Sequence, residues 1–207
     1  MNPRARGWLQ TRLEKLEKRR EAALTIRPGD PLAARFAAFG QGSRIAYPRV
    51  LLENPGLVEI GDDVEIRSYL CIEAFGPPGK TLLKIGSGSI IGHFVRFVAL
   101  NGIELAERVG IGHNCTITDS IHDWQTAAEG TPPWDTPIAV GDPLRIETGA
   151  WIGNNSVVSG GLTIGARAIV APNSVVTRSI PADTLVSGNP ARRVPFPRSQ
   201  KEPDSPE

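Results

Sequence analysis

Six consecutive six-residue repeats, from Ile146 to Pro181, constrain the fold of this 207-residue chain more than any other feature. The repeats read IETGAW, IGNNSV, VSGGLT, IGARAI, VAPNSV and VTRSIP, and each begins with isoleucine or valine. Their fifth place holds a small or apolar residue. A short regular repeat of this kind is typical of a solenoid, in which each coil buries its apolar face only by stacking on the next.

The same rhythm continues upstream, from Ile60 to Cys71 and through two further stretches that start at Ile85 and Leu105. With three repeats to a turn, this predicts about five coils. β-branched side chains at the first place suit the interior of stacked strands, and glycine at the second place suits corners that need a positive φ or a close backbone approach. We therefore predict a mainly β solenoid. A β-sandwich is less favoured, because a period of two does not place an apolar residue at every sixth position.

Composition adds limits on the partners and the cell compartment. The net charge of +1 gives no reason to expect nucleic acid as a partner. Neither a signal peptide nor an apolar stretch long enough to span a bilayer is evident, which favours a cytoplasmic protein. Cys71 and Cys115 fall about two coils apart outside any CxxC spacing, and this indicates reduced, partly buried thiols.

Residues 1–30 differ from the repeat region. Trp8, Leu9, Leu13 and Leu16 recur at helical spacing among basic residues and predict a basic amphipathic helix that ends near Arg27. Such a helix can pack on the solenoid or on a neighbouring subunit, or it can contact a membrane surface. We assign residues 38–194 to the solenoid and the proline-rich residues 195–207 to a disordered tail.

A long loop, predicted over residues 123–145, interrupts the repeat directly after His122 and contains Trp124 and Trp134. A solenoid does not require long loops, so one that is present usually carries function. Histidine is the side chain best suited to accept a proton near neutral pH. His122 is therefore a candidate general base, and a polar surface histidine is the alternative.

The two other histidines, His93 and His113, occupy the third place of corresponding repeats in successive coils. We predict that they stack on each other at the surface. A zinc site, as in a γ-type carbonic anhydrase, is less favoured, because the separations of 20 residues from His93 to His113 and 9 from His113 to His122 match that site poorly.

The repeats, the segment from Ile117 to Trp124, the long loop and the closing VSGNPAR from Val186 to Arg192 resemble the hexapeptide-repeat acyltransferases over residues 38–194. Within that family, the chain most resembles the acetyltransferases of sugar and polysaccharide pathways, which are relatives of the galactoside, maltose and xenobiotic acetyltransferases. This resemblance implies a left-handed parallel β-helix, a homotrimer, and acyl transfer from the co-substrate acetyl-CoA at sites between subunits, with no metal.

The resemblance also implies roles for single residues. His122 matches the family's general base, and Ser120 stands where many members carry an additional histidine. The coenzyme A contacts correspond to Gly153, Asn154, Pro172, Thr177, Arg178 and Arg192, with the Gly153–Asn154 turn also offering backbone N–H groups to an oxyanion. We expect Arg67, Tyr69, Asp119 and Trp124 around the acceptor, which we take to be a hydroxyl of a sugar or a lipid-linked sugar. N-acetyl transfer to an amino sugar and a non-catalytic trimeric scaffold are the alternatives.

Overall fold

The structure, a computed structural model, describes residues 3–123, 125, 128–139 and 141–196. Within these ranges, helix α1 (Pro3–Leu24) comes first, and twenty short strands, numbered in chain order, form three sheets. Short 3₁₀ turns occur at Ala33–Arg35, Pro55–Leu57 and Pro133–Asp135.

Each sheet collects every third strand of the chain as far as β18, and β19 and β20 extend the second sheet. The first sheet contains β1 (Ala38–Phe39), β4 (Val58–Ile60), β7 (Leu83–Ile85), β10 (Ile103–Leu105), β13 (Leu144–Ile146) and β16 (Thr163–Ile164). The second sheet contains β2 (Arg44–Ile45), β5 (Glu65–Ile66), β8 (Ile90–Ile91), β11 (Gly110–Ile111), β14 (Trp151–Ile152), β17 (Ile169–Val170), β19 (Leu185–Ser187) and β20 (Arg192–Arg193). The third sheet contains β3 (Leu51–Glu53), β6 (Cys71–Ala74), β9 (Arg96–Ala99), β12 (Thr116–Thr118), β15 (Val157–Ser159) and β18 (Val175–Val176).

The chain passes through the three sheets in turn, and each strand pairs in parallel with its counterpart in the next coil; among the strands described, β19 and β20 alone pair antiparallel. This confirms the predicted parallel β-helix with an N-terminal helix. The first sheet has six strands, so the described chain forms six coils rather than about five. The missed coil is formed by β1, β2 and β3, where the core residue Ile45 and Leu52, which is partly buried against the core, lie seven residues apart.

The first-place side chains form the core, as the repeat predicts. In the first sheet, Ile60, Ile85, Leu105 and Ile146 are aligned by the strand register and lie above one another. The first-place residues of coils two to six are at most 2% exposed: Ile60, Ile66, Ile72, Ile85, Ile91, Phe97, Leu105, Ile111, Ile117, Ile146, Ile152, Val158, Ile164, Val170 and Val176. The burial of these apolar columns is what holds each coil on the next.

The corners show which of the two predicted roles the second-place glycines have. These glycines have no positive φ; they allow close approach between coils, because a Cβ on Gly92 would lie 2.6 Å from the carbonyl carbon of Gly112. The left-handed residue is instead the one at the fourth place, as at Asn114 (φ 56°) and Asn155 (φ 58°). Asparagine tolerates this conformation better than most residues.

Helix α1 ends at Leu24 rather than near Arg27, and it does not pack along the solenoid as one of our interpretations had it. Its described side chains from residue 7 onward are exposed. Only the last turns touch the first coil, where Arg20 Nη2 donates to the Tyr47 hydroxyl at 2.8 Å and Arg49 Nη1 donates to the Leu24 carbonyl at 2.8 Å. Within the described residues, no helix is long and apolar enough to cross a membrane. Residues 197–207 of the predicted tail lie outside the described part of the chain.

Candidate active site

Two edges of the solenoid carry the residues of interest. The middle edge joins the second sheet to the third, and the return edge joins the third sheet to the first sheet of the next coil. Side chains that occupy equivalent places in successive coils lie in columns along each edge, about 4.8 Å apart. The position of a residue on one edge or the other therefore decides which residues can act together within one chain.

The long loop leaves the return edge of the fourth coil and covers residues 119–143, between β12 and β13. It starts four residues earlier than predicted. Its two ends pair as a short antiparallel ladder: Asp123 N donates to the Pro137 carbonyl at 2.8 Å, and Ala139 N donates to the Ile121 carbonyl at 2.9 Å. His122 lies in the middle of this ladder, in a bridge with Ile138.

The ladder also fixes the ring of His122. Its Nδ1 lies 3.0 Å from the carbonyl oxygen of Thr136. A carbonyl oxygen can only accept a hydrogen bond, so Nδ1 carries the proton when the ring is neutral, and Nε2 is left with its lone pair. The His122 side chain is exposed, and the arrangement is that of an oriented proton acceptor.

Asp119 supports the base of the same loop. It is only 3% exposed, and its carboxylate accepts hydrogen bonds from the backbone N–H groups of Leu100 at 3.0 Å, Asn101 at 2.8 Å and Gly102. Both carboxylate oxygens are thus used within the fold. We therefore assign Asp119 a supporting position at the return edge and do not carry it into the acceptor site.

Thr177 and Arg178 lie on the return edge together with His122. They follow β18, which is two strands, roughly 10 Å, from β12 in the third sheet, and β12 is the strand that leads to His122. Both side chains are exposed. These are the predicted coenzyme A residues that the structure brings to the same edge as the candidate base.

Gly153, Asn154 and Pro172 lie instead on the middle edge. The Gly153 N–H donates to the Val170 carbonyl at 2.8 Å, so of the two turn amides the Asn154 N–H remains the candidate oxyanion donor. The Asn154 side-chain oxygen accepts from the His113 backbone N–H at 2.8 Å, and Pro172 is exposed. Arg192 lies in β20 and donates to its neighbouring carbonyl, that of Ala191, at 3.0 Å.

The predicted acceptor residues Arg67 and Tyr69 are also on the middle edge, in the second coil. Arg67 lies 3.6 Å from Glu65 in an ion pair. Tyr69 stacks on Phe94 of the next coil, with ring centroids 4.3 Å apart and an angle of 3° between the rings. Our sequence reasoning missed Phe94, although an aromatic residue at the fourth place was a usable signal. Trp124 lies outside the described residues.

His93 and His113 stack on the middle edge, as predicted. Their ring centroids are 5.1 Å apart, and the His93 backbone N–H donates to His113 Nδ1 at 2.9 Å. His122 is on the other edge, so a single chain does not bring its three histidines together. Among the described residues, no group of three or more histidine, cysteine, aspartate or glutamate side chains could hold a metal ion.

The candidate residues therefore form two sets on two edges of one chain. His122, Thr177 and Arg178 share the return edge, while Gly153, Asn154, Pro172, Arg67 and Tyr69 share the middle edge. The sheets separate these sets within a single solenoid. A site that uses both sets requires two copies of the chain.

Comparison with known proteins agrees with this fold. Residues 143–178 match the family model described as bacterial transferase hexapeptide (six repeats). The chain is 25% identical over 161 residues to the putative lipopolysaccharide biosynthesis O-acetyl transferase WbbJ of Escherichia coli K12, across 74% of this chain and 79% of that protein. Seven further curated relatives are matched over only 21–42% of their own length.

Two solved structures are also similar. One is a point mutant of AntD, an N-acyltransferase from Bacillus cereus, in complex with dTDP and coenzyme A; it has a TM-score of 0.70 and 19% identity, covering 83% of this chain and 89% of that chain. The other is the hexapeptide-repeat acetyltransferase VCA0836 from Vibrio cholerae, complexed with acetyl-CoA, with a TM-score of 0.50 and 27% identity over 79% and 72% of the two chains. The repeat, the coil geometry and these comparisons agree: the chain has the fold of the hexapeptide-repeat acyltransferases, and residues 143–178 match the model of their repeat.

Proposed function

We propose that this protein transfers an acetyl group from acetyl-CoA to a hydroxyl of a sugar or polysaccharide precursor, with His122 as the general base. The observation that carries the proposal is the hydrogen bond between His122 Nδ1 and the Thr136 carbonyl, which leaves Nε2 as an exposed proton acceptor at the base of the long loop. WbbJ, the relative matched over 79% of its length, is named as an O-acetyl transferase.

The chemistry follows from this tautomer. Nε2 takes the proton of the acceptor hydroxyl while its oxygen attacks the thioester carbonyl, and the resulting oxyanion is stabilised by a backbone N–H, for which we propose Asn154. The C–S bond then breaks, and the departing thiolate takes the proton from the imidazolium. General base catalysis of this kind contributes about 10²- to 10⁴-fold in rate.

Coenzyme A fits the return edge. An extended molecule with phosphates at one end suits a path along the solenoid axis with cations near that end. The exposed pair of Thr177 and Arg178 follows the strand two coils from the one that leads to His122, and Arg192 lies in β20 of the second sheet. AntD and VCA0836 are described with coenzyme A and acetyl-CoA respectively, which supports an acyl-CoA substrate here.

We further propose that the active unit is a homotrimer with its sites between subunits. The support is the separation of the candidate residues: the base is on the return edge, and the Asn154 N–H is on the middle edge. A neighbouring copy is the means by which both edges can face one substrate. We place the reaction in the cytoplasm, with α1 free to contact a membrane surface or another subunit.

The experiment is an acceptor screen with the full-length protein and labelled acetyl-CoA over free sugars, nucleotide sugars and lipid-linked sugars. Mild alkali separates the products, since an O-acetyl ester is cleaved and an N-acetyl amide is not. We expect an alkali-labile product. An alkali-stable product would favour the second candidate function, N-acetyl transfer to an amino sugar, which the likeness to the N-acyltransferase AntD keeps open.

Calorimetry with coenzyme A tests the remaining alternative, a non-catalytic scaffold. We expect binding, weakened when Arg178 and Arg192 are both replaced by alanine. A matched control is Arg167→Ala, since Arg167 is an exposed arginine on neither candidate edge and pairs with Asp183. Absence of coenzyme A binding would refute the proposed reaction.

A further inference from the structure

We propose that the middle edge of the first three coils binds a nucleoside diphosphate, through an arginine-lined cavity for the phosphates and an adjacent aromatic pair for the base. That this group carries the acceptor sugar rests on the proposed function, whereas the binding site itself does not. Two features of the middle edge support the proposal, and the solenoid needs neither of them for its own packing.

The first feature is a surface cavity of about 380 Å³ with an excess of positive charge. Its lining includes the charged residues Arg27, Arg44, Arg67 and Glu65, together with His93. Glu65 pairs with Arg44 at 3.0 Å and with Arg67 at 3.6 Å, so the three guanidinium groups of the lining have one carboxylate among them. Two positive charges remain in excess, and guanidinium groups bind phosphate oxygens with matching fork geometry.

The second feature is the stack of Tyr69 and Phe94 beside this cavity. Arg67 precedes Tyr69 by two residues, and His93 directly precedes Phe94, so the cavity and the rings share the same two corners. The rings are parallel and remain 40% and 53% exposed. A flat, exposed aromatic face is a platform on which a nucleobase can stack.

The backbone shows that these aromatic residues are unusual at their positions. Tyr69 and Phe94 occupy the fourth place, with φ of 66° and 59°, where the next coils carry Asn114, Asn155 and Asn173. Bulky residues rarely adopt this left-handed conformation. Local rules of this kind are broken mainly at functional sites, because elsewhere a less strained residue serves as well.

A phosphate group beside a flat apolar face describes a nucleotide better than either feature alone. A lipid-linked diphosphate sugar offers the same phosphates without a base, so the two sources share the arginine cavity and differ at the rings. The probes are therefore UDP and dTDP, which contain both parts, and inorganic pyrophosphate, which contains only one. Neither nucleotide carries the adenine of coenzyme A.

The experiment is calorimetric titration of the full-length protein and three variants with these probes. Arg67→Ala is expected to weaken nucleotide and pyrophosphate binding about tenfold or more, since it removes a charged hydrogen-bond donor. Phe94→Asn is expected to weaken the binding of UDP and dTDP by a similar factor and to leave the affinity for pyrophosphate unchanged. Arg145→Ala, on the first sheet and paired with Glu104 at 3.8 Å, is the matched control and leaves all three affinities unchanged.

Phe94→Asn also separates binding from folding. Asparagine is the residue that the next three coils use at this place, so the melting temperature of the variant stays equal to that of the wild type or rises. Loss of nucleotide binding with an intact melting temperature then assigns the ring to the ligand.

The outcomes are distinct. No binding of any probe, or equal affinities in the wild type and Arg67→Ala, would overturn the proposal. A different outcome is that pyrophosphate binds as tightly as UDP and dTDP, and that Phe94→Asn changes none of these affinities. This would overturn the nucleoside assignment and point to a lipid-linked diphosphate. The proposed acetyl transfer is refuted by a different result, namely the absence of coenzyme A binding. That result would leave the UDP and dTDP titrations unaffected.

Discussion

Replacing Gly153 by alanine tests whether the coils approach as closely as the structure shows. A Cβ at this position would lie 2.6 Å from the Pro172 nitrogen, 2.7 Å from the Val170 carbonyl oxygen and 2.8 Å from Pro172 Cδ. Ordinary van der Waals contacts are 3.4–4 Å, and the atoms concerned belong to the backbone and a rigid ring. None of them can rotate away, so the fifth and sixth coils must separate locally.

Overpacking of this kind costs about 1–3 kcal/mol, and three simultaneous contacts place Gly153→Ala near 3 kcal/mol. For a chain of this length, the melting temperature would fall by roughly 6–12 °C. The assay is thermal unfolding followed by circular dichroism. Gly141→Ala is the control, because nothing lies within 4 Å of its Cβ position, and it should leave the melting temperature unchanged. A Gly153→Ala variant with the melting temperature of the wild type would refute the close approach of the fifth and sixth coils.

Three further predictions concern single side chains. Asp119→Ala leaves the backbone N–H groups at residues 100–102 without their acceptor and should cost roughly 3 kcal/mol in the free energy of unfolding, measured by chemical denaturation. Burial raises the pKa of the Cys115 thiol, so stability should fall as the pH rises above about 8.5, where the unfolded thiol ionises first, and Cys115→Ala should reduce this alkaline loss. The hydrogen bond from Arg167 lowers the pKa of the exposed Asp183. The ionised carboxylate should therefore stabilise the fold slightly above about pH 4, and this stabilisation should fade as the pH falls through the lowered pKa. Thermal melts of Asp183→Asn should lack this pH dependence.

The core could be predicted from the sequence because the apolar residues recur with a fixed period. Ile60, Ile66 and Ile72 each begin a repeat, and each is buried in a different sheet of one coil. The first coil was missed because Ile45 and Leu52 are seven residues apart, so the extra residue shifts the pattern. Periodicity identifies regular coils and fails at the first irregular one.

The corners were harder to predict, because two demands act at neighbouring places. We expected the second-place glycines to allow either a positive φ or a close backbone approach, and Gly92 and Gly153 serve close approach between coils. The positive φ falls two places later, on residues such as Asn114 and Asn155. The sequence shows both residue types but does not show which demand each one meets.

The site was predicted only in part, since a repeat does not reveal which edge a residue will occupy relative to distant coils. His122 was found because it lies where the repeat stops. Its hydrogen bond to Thr136 depends on the pairing of the two loop ends, which no local pattern indicates. Asp119 has the residue type of a substrate contact, but its burial against residues 100–102 comes from the neighbouring coil.

The most direct test of the account is the rate of acetyl transfer by His122→Gln, measured with the acceptor identified in the screen. Glutamine retains a polar side chain but cannot accept the proton. We predict a fall in kcat of about 10²- to 10⁴-fold with an unchanged Kd for coenzyme A. Arg167→Gln, on neither candidate edge, should keep near wild-type kcat. A His122→Gln enzyme within about threefold of the wild-type kcat, far short of the loss expected for a missing general base, would contradict the assignment of His122 to that role.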